Sequence, residues 1–209
     1  MNCEATGRLT RAVLLYVMND DNAILDAIRQ DPDYLWNLDW GEPRSGHPEG
    51  SIRAHIEELE GNLARLAGRV TAAEAARLRL LIHTHDSFKP DAKDGVPISD
   101  PRSHASLARQ FLAKFCDPAN DSHADLLNMT QYHDEPYALY QKFRSKGMCD
   151  PKRFETLLSA IRDWNLFAAF LMIDGCTKGK SRGPLQWFLP ELGRRIPVTW
   201  DVADLAIFE

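Results

Sequence analysis

Several things are scarce in this chain of 209 residues. No two of its cysteines (Cys3, Cys116, Cys149 and Cys176) stand in a Cys-x-x-Cys pair, so neither a zinc ribbon nor a dithiol redox motif is indicated. Four cysteines so far apart do not make a disulfide framework, and free thiols in a cytoplasmic protein are expected. The longest apolar run, Leu166–Ile173, is eight residues. That is far short of the ~20 needed to span a bilayer. The apolar stretch near the N-terminus lacks a small-residue cleavage site, so no signal peptide is read. There is no excess of positive charge: the formal net charge is −5, which argues against a surface devoted to nucleic acid. Internal repeats, low-complexity segments and runs of alternating β-branched residues are missing too, so no sheet is predicted.

What remains is an ordinary globular composition, 44% hydrophobic and 26% charged, in a chain long enough for one domain with its own core. Its pattern is helical almost throughout. Helices are predicted over about 8–18, 21–30, 51–69 and 71–86, the last opened by the capping box Thr71-Ala72-Ala73-Glu74. Asp100-Pro101 and Asp150-Pro151 each place a cap before a proline. They open helices to about Cys116 and to Gly175, the latter being the longest. Between them a helix covers about 122–133 and a short one follows Pro136. Segments 31–50 and 87–100 read as loops, and 176–209 as an irregular extension with one short helix near 184–192. The expected fold is all-α, a single compact helical bundle over 1–209.

Polar residues fall on the apolar faces of these helices. Residues three, four or seven apart share a helix face. His55 lies with Ile52, Leu59 and Leu63, and His85 with Leu78, Leu81 and Ile82. His104 lies with Leu107, Ala108 and Phe111, and His133 with Leu126, Met129 and Thr130. Asp174 lies with Phe167, Phe170 and Leu171, while Asp86 follows His85 directly. One histidine on an apolar face is usually a core residue bonded to a carbonyl. Five helices doing the same thing point to a shared ion. Two buried carboxylates beside four imidazoles are costly unless a cation neutralises them. Imidazole and carboxylate donors suit Fe, Mn, Zn, Co or Ni. Six ligands exceed what one catalytic metal takes and suit two metals bridged by an aspartate.

The ordered set His55, His85-Asp86, His104, His133, Asp174 resembles the HD-domain superfamily in its six-ligand form. GHPEGSIRAH (46–55) is similar to the lead-in of HD domains related to bacterial tRNA nucleotidyltransferases. HDSFKP (85–90) is similar to the family's His-Asp-x-Gly-Lys stretch, with Lys89 at the lysine and Phe88 where a glycine is usual. The resemblance covers about residues 46–175 and implies a helical bundle with a divalent transition metal site, two metals per chain. Asp86 would bridge them, with His55, His85 and Asp174 on one and His104 and His133 on the other. The implied activity is hydrolysis of a nucleotide or other small phosphoester by water activated on the metals, with Asp86 and Lys89 as catalytic residues. A minority branch uses the same ligands to hold two irons and oxidise small, often anionic, molecules. A third reading is a non-catalytic module that binds a nucleotide or a protein.

Lys178, Lys180 and Arg182 sit in a glycine-spaced loop just after Asp174, suited either to phosphate oxygens or simply to solvent. His47 is expected to be a loop residue that could approach a substrate. His83 is read as surface or outer shell, His123 as exposed, and the five tryptophans as core or rim. The partner expected is a small phosphorylated or anionic substrate, with no membrane and no indicated nucleic acid; oligomeric state stays open.

Overall fold

Asp20 opens the first helix of the structure, a computed structural model that describes residues 20–209; the helix predicted over 8–18 lies outside them. The described residues form ten α-helices, one 3₁₀ helix (Val202–Phe208) and no strand. The α-helices are α1 (Asp21–Gln30), α2 (Pro32–Asn37), α3 (Ile52–Arg65), α4 (Ala72–Thr84) and α5 (His104–Leu112). They continue with α6 (Asp121–Tyr132), α7 (Glu135–Lys146), α8 (Pro151–Ala160), α9 (Trp164–Gly175) and α10 (Gly183–Gly193). This is the all-α bundle expected. No single helix among the described residues is long and apolar enough to cross a membrane.

The bundle is arranged around α9. Its residues Leu166 to Ile173 are all buried, so α9 is apolar on every side, and it packs against α3, α4 and α10. One continuous hydrophobic cluster runs from Ile24 to Phe208. Helix α4 carries the reciprocal capping box, with Thr71 and Glu74 each bonded to the other's backbone.

Four expectations change. Segment 31–50 is not all loop, because Asp31 caps α2 and Pro32 starts it. The helix predicted from Asp100-Pro101 begins at His104 instead: Asp100 is used in the preceding turn, and Ser103 caps α5 by accepting the Ser106 amide at 3.1 Å. The predicted helix over 151–175 is two helices, bent by 112°. There Asp125 of α6 accepts the amides of Arg162 and Asp163 at 2.9 and 2.8 Å, while Asp163 caps α9. These amides find a buried carboxylate in place of helix carbonyls, and the chain turns. Finally, the C-terminal extension is less irregular than expected: α10 stands where the short helix near 184–192 was predicted, a 3₁₀ helix follows it, and the two bury Leu185, Phe188, Leu192, Leu205 and Phe208.

Candidate metal centre

All six predicted ligands converge. His55 and Asp174 come from α3 and α9, and His104 is the first residue of α5. His85 and His133 each stand one residue beyond a helix, as the C-caps of α4 and α6. That position frees the side chain to fold back along its own last turn. His85 donates from Nδ1 to the Leu81 carbonyl at 3.1 Å, and His133 from Nδ1 to the Thr130 carbonyl at 2.8 Å. A carbonyl only accepts, so both rings carry their proton on Nδ1 and turn an Nε2 into the cluster.

The carboxylate of Asp86 lies between two groups of these nitrogens. Its Oδ2 is 3.5 Å from His85 Nε2 and 3.9 Å from His55 Nε2. Asp174 Oδ1 completes this side, 3.1 Å from His55 Nε2 and 3.8 Å from His85 Nε2. Oδ1 of Asp86 faces the other way, 3.7 Å from His104 Nε2 and 3.5 Å from His133 Nε2. Those two nitrogens are 3.2 Å apart. The groups His55–His85–Asp86 and Asp86–His104–His133 could each hold a metal ion.

The donor chemistry fits such an ion. His85 Nε2 and Asp86 Oδ1 are buried and have no hydrogen-bond partner. A buried orphan of this kind costs ~1–3 kcal/mol, and a cation on each side of the Asp86 carboxylate would satisfy both. Burial pushes the His85 imidazole down to about 3, which keeps it neutral and able to donate its lone pair. Burial opposes ionisation of Asp86 and Asp174 as well, yet Lys89 for the first, and Lys180 and His55 for the second, hold both carboxyls well below the usual range. For His55 burial opposes charge, but Asp174 and Glu49 outweigh it and raise the ring to about 9. For His133 burial is outweighed by Asp134 and Asp86, again to about 9.

Two lysines reach the carboxylates. Lys89 Nζ donates to Asp86 Oδ2 at 2.5 Å, and Lys180 Nζ to Asp174 Oδ1 at 2.5 Å. Phe88 needs no left-handed backbone; its ring lies 4.7 Å from that of Phe111 in the core. Gly179 does need its glycine: φ is +77°, and a Cβ there would meet Pro48 Cδ at 2.8 Å. This close approach brings the loop of Lys180 onto the segment of His47.

Lys180, Lys89 and His47 line a cavity of about 510 Å³ that reaches Asp86, His133 and Asp174 and has Leu171, Leu185 and Phe188 on its apolar wall. A wider opening of about 1300 Å³ adjoins it at Lys89, Asp134 and Tyr137 and reaches His104. The other two basic residues proposed for substrate are placed elsewhere. Arg182 is spent on the end of α9, donating to the carbonyls of Gly175, Cys176 and Thr177 at 2.6, 2.9 and 3.3 Å. Lys178 is exposed and lines neither cavity; its backbone amide binds Glu58 Oε1.

Two acidic residues were not singled out from sequence. Glu49 Oε1 lies 3.0 Å from His55 Nδ1 and 2.9 Å from His47 Nδ1. It stands behind His55 as a close carboxylate neighbour, although His55 Nδ1 makes no aligned hydrogen bond to it. Asp134 Oδ2 lies 3.1 Å from His104 Nε2. The signals were present: Glu49 stands two residues after His47, and Asp134 forms a second His-Asp dipeptide.

His83 and His123 differ from expectation. Neither is at the surface; their exposures are 6% and 1%. Both are held by polar partners outside the centre. His83 bonds Tyr34 Oη at 2.5 Å and Arg29 at 3.0 Å, and His123 Nδ1 accepts the Asp117 amide at 3.1 Å. Trp36 is neither core nor rim, being 87% exposed. Comparison with known protein families, with curated proteins and with solved structures finds no match to this chain.

Proposed function

We propose that this chain is an HD-type, metal-dependent phosphohydrolase acting on a small phosphoester. The observation that carries the reading is the carboxylate of Asp86. One of its oxygens faces His55, His85 and Asp174, and the other faces His104 and His133. That is how a bridging ligand between two ions would be disposed, and Asp86 Oδ1 and His85 Nε2 give each side a buried donor that makes no hydrogen bond. Two divalent ions from the group Fe, Mn, Zn, Co and Ni suit the nitrogen and oxygen donors. Bound there, they supply Lewis acidity and acidify a water toward neutral pH.

The rest falls to the chain. Lys89 and Lys180 now balance Asp86 and Asp174; with ions held by those carboxylates, both ammonium groups would be free for the cavity they already line. There they hold non-bridging phosphate oxygens and offset charge as it moves to the leaving oxygen. With Nδ1 of His47 committed to Glu49, any contact of His47 with substrate falls to Nε2. The apolar wall excludes water from one side and bounds the alcohol portion. A cavity of about 510 Å³ fits a nucleotide-sized or smaller ester.

The test is turnover of a phosphomonoester and nucleotide panel by Mn(II)- and Fe(II)-loaded protein. Hydrolysis is expected to be lost in Asp86→Ala and to show a raised KM in Lys180→Met. No turnover of any ester, with O₂ consumption and the EPR signal of a coupled Fe(II)/Fe(III) pair, would replace this reading with the di-iron oxygenase. Inertness in both assays would favour a non-catalytic binding module.

A further inference from the structure

His133-Asp134 repeats, at the end of α6, what His85-Asp86 does at the end of α4. In each pair the histidine is the first residue past its helix, its Nδ1 is tied to a carbonyl of the last turn, and its Nε2 enters the centre. An aspartate follows in both. The first of these aspartates is the bridge between the two halves. The second has no role in the six-residue set.

Asp134 occupies the N-cap of α7, where an aspartate ordinarily accepts a backbone amide and adds ~1 kcal/mol. It makes no such bond. Helix α7 is anchored by its neighbour instead, because Glu135 is buried in a two-point ion pair with Arg153. The carboxylate of Asp134 turns to the imidazoles. Its Oδ2 is 3.1 Å from His104 Nε2 and 3.7 Å from His133 Nε2.

These distances belong to a set. His104 Nε2 and His133 Nε2 are 3.2 Å apart, and Asp86 Oδ1 is 3.7 and 3.5 Å from them. Donor atoms each ~2.0–2.2 Å from one ion lie about 3.0–3.6 Å from one another. Three of these five separations, 3.1, 3.2 and 3.5 Å, fall in that range, and the other two, both 3.7 Å, lie just above it. One of the four, Asp86 Oδ1, is buried and unpartnered. Asp134 itself closes the open side, on the boundary between the two cavities, with 47% of its side chain exposed.

We infer that Asp134 is a ligand of the ion held by His104, His133 and Oδ1 of Asp86. The inference rests on the two-metal reading above. It makes the halves of the centre alike: two imidazoles and two carboxylates on each side, with Asp86 counted in both. The outer ion, on three donors alone, would be the weaker of the two; a second carboxylate raises its affinity for a hard or borderline divalent cation.

The experiment titrates the metal-stripped full chain with Co(II), following the visible absorption bands and the metal retained after gel filtration. Asp134→Ser and Asp134→Asn are compared with the native protein, since serine is a good N-cap and asparagine keeps the shape. The native chain is expected to bind two equivalents. Both variants should keep the first equivalent unchanged, bind the second at least tenfold more weakly, and show an altered spectrum for it, with the melting temperature of the metal-free form within a few degrees of native. Two equivalents in the variants with native affinity and spectrum would overturn the inference and leave the two-metal reading standing, with Asp134 only a hydrogen-bond partner of His104. A native chain that binds fewer than two equivalents would overturn the reading and the inference together.

Discussion

Around Oδ2 of Asp86 two ammonium groups stand against the carboxylates, and around Oδ1 imidazoles stand there without one. On the inner side, Lys89 and Lys180 each place Nζ 2.5 Å from a carboxylate oxygen. On the outer side no lysine among the described residues is paired with Asp134; His104 and His133 face it at 3.1 and 3.7 Å. The two sides should therefore take up an ion differently. The inner side must release two ammonium groups, which are then free for substrate. On each side one imidazole, His55 or His133, must also give up a proton. The Asp86 carboxylate is the donor common to both sides.

The largest break in this comparison is Asp86→Ala. It removes a donor from both sides, and metal content measured by plasma mass spectrometry should fall from two ions per chain to below one. Replacing one imidazole should separate the sides. His55→Ala is expected to lose the inner ion and keep the outer, and His133→Ala the reverse, each leaving about one ion. Glu49→Gln should be milder and confined to the inner side. Glu49 touches His55 from behind, so affinity there should drop ~10–100-fold while the outer ion is unaffected.

Lys180→Met sharpens the electrostatic half of the contrast. It leaves the largely buried Asp174 without its ammonium partner, so the metal-free protein should lose ~1–3 kcal/mol in a urea titration. The loss should vanish in the loaded protein, where an ion replaces the lysine. The smallest effect is on pH. His55 and His133 are raised to about 9, above the ~6.5 of an unfolded chain, so their contribution to stability is complete below about 6.5 and is lost as pH rises through about 9. The melting temperature of metal-free protein should decline between pH 7 and 9, and that of the loaded protein should not follow it, because its imidazoles are held deprotonated.

Much of this centre was legible before any coordinates. Helical faces place His55, His85, His104, His133 and Asp174 on apolar stripes, and a stripe that is buried carries its polar members inward. What periodicity lacks is the identity of partners from other helices. His83 and His123 are buried for that reason: Tyr34, Arg29 and Glu60 satisfy the first, and the Asp117 amide and Asp21 the second. The break between α8 and α9 was hidden similarly. No glycine or proline marks residues 160–164, and the turn depends on Asp125, more than 35 positions earlier. By contrast α2 announced itself in Asp31-Pro32, a cap before a proline, in a segment whose Trp, Gly and Pro content had read as loop. Arg182 shows the limit of reading charge alone. Its loop position fitted an anion site, but three carbonyls at the end of α9 claim the guanidinium.

The most direct test is an anomalous-difference map from crystals of the Mn(II)- or Fe(II)-loaded protein. Two peaks are predicted on opposite sides of the Asp86 carboxylate, one in contact with His55, His85 and Asp174 and the other with His104 and His133. A single peak that does not touch Asp86, or none at these residues in protein loaded to saturation, would contradict the account.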